Sequence, residues 1–400
     1  MYCWYQPSLS PALSPKSYMV PLRIISCVSG QAMISILYSA DYEVFLGRNF
    51  LPEPEVLIGP TRDLLAACRG VGIRMTLFAD VFCLRRYREL GQEEFPGLAD
   101  EQLRGAIASG HDVQAHIHPH WTCTGMAGGA YFFDRDKYLL GTFYPDKVRR
   151  DNFIRDSVRE ARDYLEGLLR PGDPAYRCIA FRAGGYGLQP GEDAIVAALA
   201  DAGFLVDSSV VHNLRLENEI NRIDYTGLPG RGNYWLAGGK GPATSGSAGG
   251  IFEIPIASAR LGIHEELPFI MKRFGARLGR MASRQGGGPR GLSVQEELHL
   301  YPGLLLRILN RIRLSSLHHM DLTDDPDLMM LITRKYLASA LPEQGDFFFS
   351  VNCHPKTMSA PHFAALKEYH RMLCAEFPGI RSITYREAAG MIPHGPAPLR

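Results

Sequence analysis

Strand-like and helix-like patterns alternate along this chain. Residues 33–40, MISILYSA, are almost entirely apolar and read as a buried strand. Residues 56–73 carry apolar positions at helical spacing and end near Gly70 and Gly72, and 74–80 return to a strand. The unit then repeats. A helix is predicted over 99–109, closed by Gly110, with a strand in HDVQAHI (111–117). A charged amphipathic helix over 150–169 precedes a strand over 177–185, and a helix over 191–202 precedes a strand over 203–209. Later strands are predicted at 251–258 and 346–355, with a helix closing in 335–345 and a last one over 360–377. Such alternation predicts an α/β fold with a parallel sheet, open or closed into a barrel. These folds place their chemistry at the C-terminal ends of the strands.

Three stretches break the pattern. Residues 1–18 are rich in proline and serine and have no period, so residues 1–22 are expected to form a flexible segment, and Met19 could be an alternative start. Residues 237–250 form a glycine-rich loop. Residues 270–316 hold nine Lys or Arg against two Glu, with large apolar residues between them. That bias predicts a basic helical insertion at about 260–316. It reads either as a solvated face or as a surface for anionic lipid headgroups. The rest of 23–392 is expected to be one barrel, followed by a tail over 393–400.

Composition narrows the class. The net charge of +1 over 400 residues argues against a whole-protein nucleic-acid footprint. The eight cysteines form no C-x-x-C pair and read as reduced thiols. No apolar run reaches the roughly 18–20 residues of a membrane span, and no signal peptide is read in the N-terminal stretch. The expectation is a cytoplasmic protein, with peripheral membrane contact if the basic stretch meets lipid.

The polar clusters fall at five predicted strand ends. Asp41 and Glu43 follow the first strand, on one side of an extended chain, because side chains alternate with period two. Two such carboxylates repel unless a cation or a proton separates them. HDVQAHIHPHW (111–121) gathers four of the thirteen histidines. His116 and His120, with a carboxylate, have the composition of a hydrolytic metal site. Structural, hydrogen-bonded histidines are the competing reading. Arg182, Asp207 and His354 end three further strands.

This order of motifs resembles the polysaccharide deacetylase (NodB-type, carbohydrate esterase) superfamily, as a divergent branch. The matching motifs are SADYE, HDVQAHIHPH, FRAGGYG, VDSS and SVNCHP, spanning about residues 33–356. The resemblance implies a distorted (β/α) barrel and a metal-dependent N-deacetylase of an acetamido sugar in a glycan or glycolipid precursor. It implies Glu43, His116 and His120 as metal ligands and Asp41 as general base. Arg182 would pair with the base, Asp207 would orient a protonated His354, and a backbone N–H near Tyr186 would face the oxyanion. Zinc suits this donor set, and cobalt and nickel also accept it.

The chain departs from the family pattern in places. Asp-x-Glu replaces two adjacent aspartates, so the roles of Asp41 and Glu43 are exchangeable at this point. The arginine motif reads Arg-Ala-Gly-Gly-Tyr and lacks its usual proline. His111 is read as structural. His118 is read as turned away from its neighbours, a support behind the metal ligands or a substrate contact, and His318, His319 and Asp321 as a polar strand end. The segment HIH also resembles the signature of amidohydrolase-type barrels, but it falls on the third strand instead of the first. A deformylase on the same scaffold and a catalytically silent glycan-binding barrel compete with the deacetylase.

Overall fold

The computed structural model describes residues 33–46, 51–127, 130–218, 220–228, 232–236, 250–282, 315–340 and 346–392. The N-terminal segment 1–22, the tail 393–400, nearly all of the glycine-rich loop and 283–314 of the basic stretch lie outside them.

The first parallel strands are β1 (Ile34–Tyr42), β2 (Met75–Asp80) and β3 (Asp112–Ile117). A hairpin, β4 (Gly125–Ala127) and β5 (Ala130–Phe132), precedes β6 (Ala180–Ala183) and β7 (Val206–Asp207). A second hairpin, β8 (Arg215–Glu217) and β9 (Arg222–Asp224), leads to β10 (Tyr234–Leu236) and β11 (Ile251–Glu253). Then come β12 (Ser258–Gly262), β13 (Ser315–His319), β14 (Phe347–Val351) and β15 (Arg381–Ser382). Helices α1 (Gly59–Arg69), α2 (Val81–Glu89), α3 (Glu94–Ala108), α4 (Lys147–Leu169) and α5 (Glu192–Asp201) cross between the parallel strands. Helix α6 (Ile263–Ala282) follows β12, which pairs antiparallel with β13.

The main sheet runs β10-β11-β7-β6-β3-β2-β1-β14, parallel except at β10–β11. Its two ends meet at Ile256, which bridges Val211 on one side and Ser350 on the other. There Ile256 N donates to Val210 O and Ala257 N donates to Ser350 O. The architecture is thus an α/β distorted barrel, closed by single bridges where a full ladder is missing. Strands β2 and β3 are buried along their whole length, as expected of parallel strands covered on both faces.

Local chemistry sets the boundaries. Asp80 ends β2 and caps α2 by accepting from Cys83 N at 3.4 Å. The apolar pattern of the sequence does not single out α2. Asp146 caps α4 by accepting from Arg149 N at 2.8 Å. The six described cysteines are free thiols. No helix among the described residues is long and apolar enough to cross a membrane.

His111 ties two strand starts together. It is buried, and its Nδ1 accepts from Met75 N at 3.1 Å. Burial first, and the Arg69 charge second, lower its pKa to about 4. The unfolded imidazole titrates near 6.5, so the unfolded chain takes up this proton first. Stability from His111 is therefore present above about pH 6.5 and is lost as pH falls toward 4. We predict a loss on the order of 1–2 kcal/mol between pH 7 and pH 5, absent in His111→Asn. Urea unfolding of both proteins at the two pH values checks this, and parallel curves would remove His111 from the account.

Candidate active site

The strand ends β1, β3, β6 and β14 converge on one polar centre. Arg182, at the end of β6, is fully buried. Its Nη1 donates to Asp41 Oδ1 and to Asn352 Oδ1, both at 2.7 Å. Its Nε donates to Ser208 O at 3.0 Å, and Nη2 donates to Ser208 Oγ, Tyr385 OH and Ser350 Oγ at 3.1, 3.2 and 3.4 Å. The guanidinium lies 4.1 Å from the Phe78 ring centre. Asn352 Nδ2 donates to Asp41 Oδ2 at 3.0 Å. Asp41 is thus gripped on both oxygens. Burial alone would raise its carboxyl, but Arg182 and His354 outweigh it and hold Asp41 well below the usual carboxylate range.

Glu43 faces the imidazoles. Its Oε2 lies 2.5 Å from His118 Nε2 and 3.4 Å from His116 Nε2. Its Oε1 accepts from Lys356 Nζ at 2.7 Å. Against the raising effect of burial, Lys356 and His118 keep Glu43 well below its ordinary value. The two acids therefore have separate surroundings, Asp41 an arginine and an amide, Glu43 imidazoles and a lysine.

The residues that the structure groups differ from the expected Glu43, His116 and His120. Glu43, His116 and His118 present ligand atoms within 4.8 Å of one another. His120 stands outside this group, on the short turn Pro119–Cys123. Its ring stacks on Tyr138 at 5.5 Å and packs on Phe133 at 4.7 Å, and burial holds it well below the usual histidine range. The reason is the period of a strand. Residues two apart share a face, so His116 and His118 arrive together and His120 is carried away by the turn. Gly184 makes room for this. A Cβ there would lie 2.5 Å from His118 Nδ1, which accounts for the Arg-Ala-Gly-Gly-Tyr form of the motif.

These residues fit a divalent ion. His116 Nδ1 faces Arg182 O at 2.8 Å and so carries the proton, which leaves the lone pair on Nε2. That Nε2 is buried without a hydrogen-bond partner, 3.4 Å from a carboxylate oxygen. Two lone pairs so placed need a proton or a cation between them. Asp80 adds a buried carboxyl at the same place, with Oδ1 accepting from His118 N at 3.4 Å and Oδ2 unpartnered.

His354 lies on the other side of Asp41. Its Nε2 is 3.4 Å from Asp41 Oδ2 and 3.7 Å from Glu43 Oε1, and its Nδ1 is 3.7 Å from Asp321 Oδ2. Burial would lower it, but Asp321 and Asp41 push it up to about 10. Asp321 thus occupies the place expected for Asp207. Asp207 is fully buried instead against Ser209, which donates to it from N and Oγ at 3.0 and 2.7 Å. It also stands opposite Glu253 in the β7–β11 pairing. Burial, the largest effect on each, raises both acids, and Glu253 Oε1 accepts from Val210 N at 3.3 Å. Tyr186 follows Gly185, both with positive φ (61° and 63°), and its ring packs on His319 at 6.0 Å.

No family model and no curated protein matches the chain. Solved structures similar to it include a Mycobacterium smegmatis protein assigned as a polysaccharide deacetylase, at 14% identity and a TM-score of 0.44, covering 92% of this chain and 95% of that one. A Pseudomonas aeruginosa PAO1 protein assigned likewise is 12% identical with a TM-score of 0.43, covering 90% and 91%. Puue allantoinase is 14% identical with a TM-score of 0.43, covering 91% of each chain.

Asn352, Lys356, Asp80 and Asp321 are the site residues that sequence reasoning misses or sets aside. Asn352 and His354 carry a usable signal, since they are two apart at a strand end like Asp41 and Glu43. The buried pair Arg182–Asp41 yields a stability prediction. Arg182→Met leaves Asp41 buried without its cation and should cost about 3–5 kcal/mol. Chemical denaturation measures this, and a loss under about 1 kcal/mol would show that Asp41 is neutral or solvated.

Proposed function

We propose that this chain is a metal-dependent N-deacetylase of an acetamido sugar, a divergent relative of the polysaccharide deacetylases. One observation carries the reading. A partly buried carboxylate with two buried imidazoles stands beside an arginine-held aspartate and an acid-flanked histidine, all at the ends of parallel strands. The motif order in the sequence supports the substrate class, a glycan or glycolipid precursor. A lipid-linked acceptor held near an anionic membrane by the basic stretch belongs to the same reading.

Glu43, His116 and His118 are the proposed ligands, for Zn²⁺ first and for Co²⁺ or Ni²⁺ in its place. A divalent ion bound there supplies Lewis-acid polarisation of an acyl carbonyl and acidifies water. The chain's own residues do the rest. Asp41 is ionised and its orientation is fixed by Arg182 and Asn352, so it is placed to take the proton of the attacking water. His354 is protonated at neutral pH and donates to the departing amine, which leaves poorly without a proton. Asp321 keeps that proton on His354. The turn Gly184–Tyr186 lies against His118, and a backbone N–H near Tyr186 is the proposed donor to developing negative charge.

Metal analysis with acetate release from a panel of acetamido sugars, and formate release from formylated analogues, tests the reading. The wild type should hold a divalent ion and release acetate. His116→Ala and His118→Ala should lose the ion. Asp41→Asn should keep it and lose about 10²–10⁴ in rate. A fully active Asp41→Asn removes the base assignment, and a wild type that binds no metal removes the whole reading. Gly184→Ala should push His118 aside and weaken metal binding at least about tenfold. Unchanged binding in that variant would return the third position to His120.

A further inference from the structure

We propose that Lys356 is a positioning residue that fixes Glu43 as a one-oxygen metal ligand. The proposal rests on the metal reading above. The two oxygens of Glu43 face different groups. Oε1 accepts from Lys356 Nζ at 2.7 Å, and Oε2 faces His118 and His116 at 2.5 and 3.4 Å. Lys356 is itself anchored. Its Nζ also donates to Val44 O at 3.0 Å, and it lies 5.5 Å from the Phe45 ring centre. Its side chain is only 12% exposed, and that of Glu43 only 11%. The lysine stands on the turn Pro355–Thr357 just after β14, and Glu43 just after β1, the strand that pairs with β14. The contact therefore joins two neighbouring strand ends.

An unrestrained glutamate rotates about three bonds and offers either oxygen, or both, to an ion. With Oε1 tied to a buried ammonium, a single oxygen is left aimed at the two imidazoles. Partners that orient a metal-binding carboxylate typically change metal affinity about 10–100-fold when removed. The opposite role, a resident cation that competes with the metal, requires Lys356 on the imidazole-facing oxygen. It sits on the other one. The two roles predict opposite signs when the lysine is removed.

The test uses the full chain, stripped with a chelator and titrated with Zn²⁺ by calorimetry, as wild type, Lys356→Met and Lys356→Arg. Lys356→Met should bind about 10–100-fold more weakly, and Lys356→Arg should recover most of the loss, since a guanidinium can still hold Oε1. Loaded with Co²⁺, Lys356→Met should show a visible absorption band shifted from that of the wild type, as the carboxylate changes its mode of binding. A merely structural lysine would leave that band unmoved. Equal or tighter Zn²⁺ binding by Lys356→Met overturns the proposal. A wild type that binds no Zn²⁺ overturns the metal reading itself, and that outcome is separate.

Discussion

The buried pair between Arg182 and Asp41 is the constraint on which the rest of the site depends. Removing a guanidinium from water costs several kcal/mol, and the cost is offset only when every donor finds a partner. Arg182 achieves this by reaching β1 at Asp41, the segment after β7 at Ser208, β14 at Ser350 with Asn352 beyond it, and the C-terminal helix at Tyr385. One side chain thus holds together strands far apart in sequence. Its backbone carbonyl also accepts a hydrogen bond from His116 Nδ1. The arginine that orients the proposed base therefore also fixes the tautomer of a proposed ligand.

Around that pair the charges are sorted by neighbour. Asp41 and Glu43 are two residues apart in one chain, yet one meets an arginine and an amide and the other meets imidazoles and a lysine. The sequence alone leaves their roles exchangeable, since two acids in series look alike. The three-dimensional surroundings separate them, because a carboxylate already held on both oxygens has little to offer a metal. Glu43, with an oxygen turned toward two nitrogens, has that to give.

Much of this is legible in the sequence, and the failures have physical causes. The strand–helix alternation predicts the parallel sheet, because buried strands and amphipathic helices carry different periods, and the family resemblance adds the barrel. Asp41, Arg182 and His354 are expected at strand ends, where they lie. The sequence reading pairs His116 with His120 at a spacing of four, whereas the strand's period of two brings His116 together with His118. The same period brings Asp41 with Glu43 and Asn352 with His354. Each of these strand ends delivers two groups to one site. Motif order alone favours Asp207 over Asp321. No spacing rule shows that Asp321 reaches His354, because the contact arises from the single bridge between Asp321 and Asn352. Lys356 lies beyond any pattern, since it stands on the short turn Pro355–Thr357 after β14 has ended.

Asp207 lies near the seam of the barrel and not beside His354. Asp207 and Glu253 face each other across β7–β11, next to the stretch where Ile256 joins the two ends of the sheet. Both are fully buried, and two ionised carboxylates there would repel strongly in a low-dielectric interior. Burial raises both carboxyls, which lessens that repulsion, while Ser209 donates to Asp207 and Val210 N donates to Glu253 Oε1. Ser209 Oγ also accepts from Ala183 N at 2.8 Å, just before Gly184. The acid pair therefore anchors the backbone that gives His118 its space. A residue expected to steer the histidine acid acts at one remove instead, by holding the turn against which a proposed metal ligand is packed.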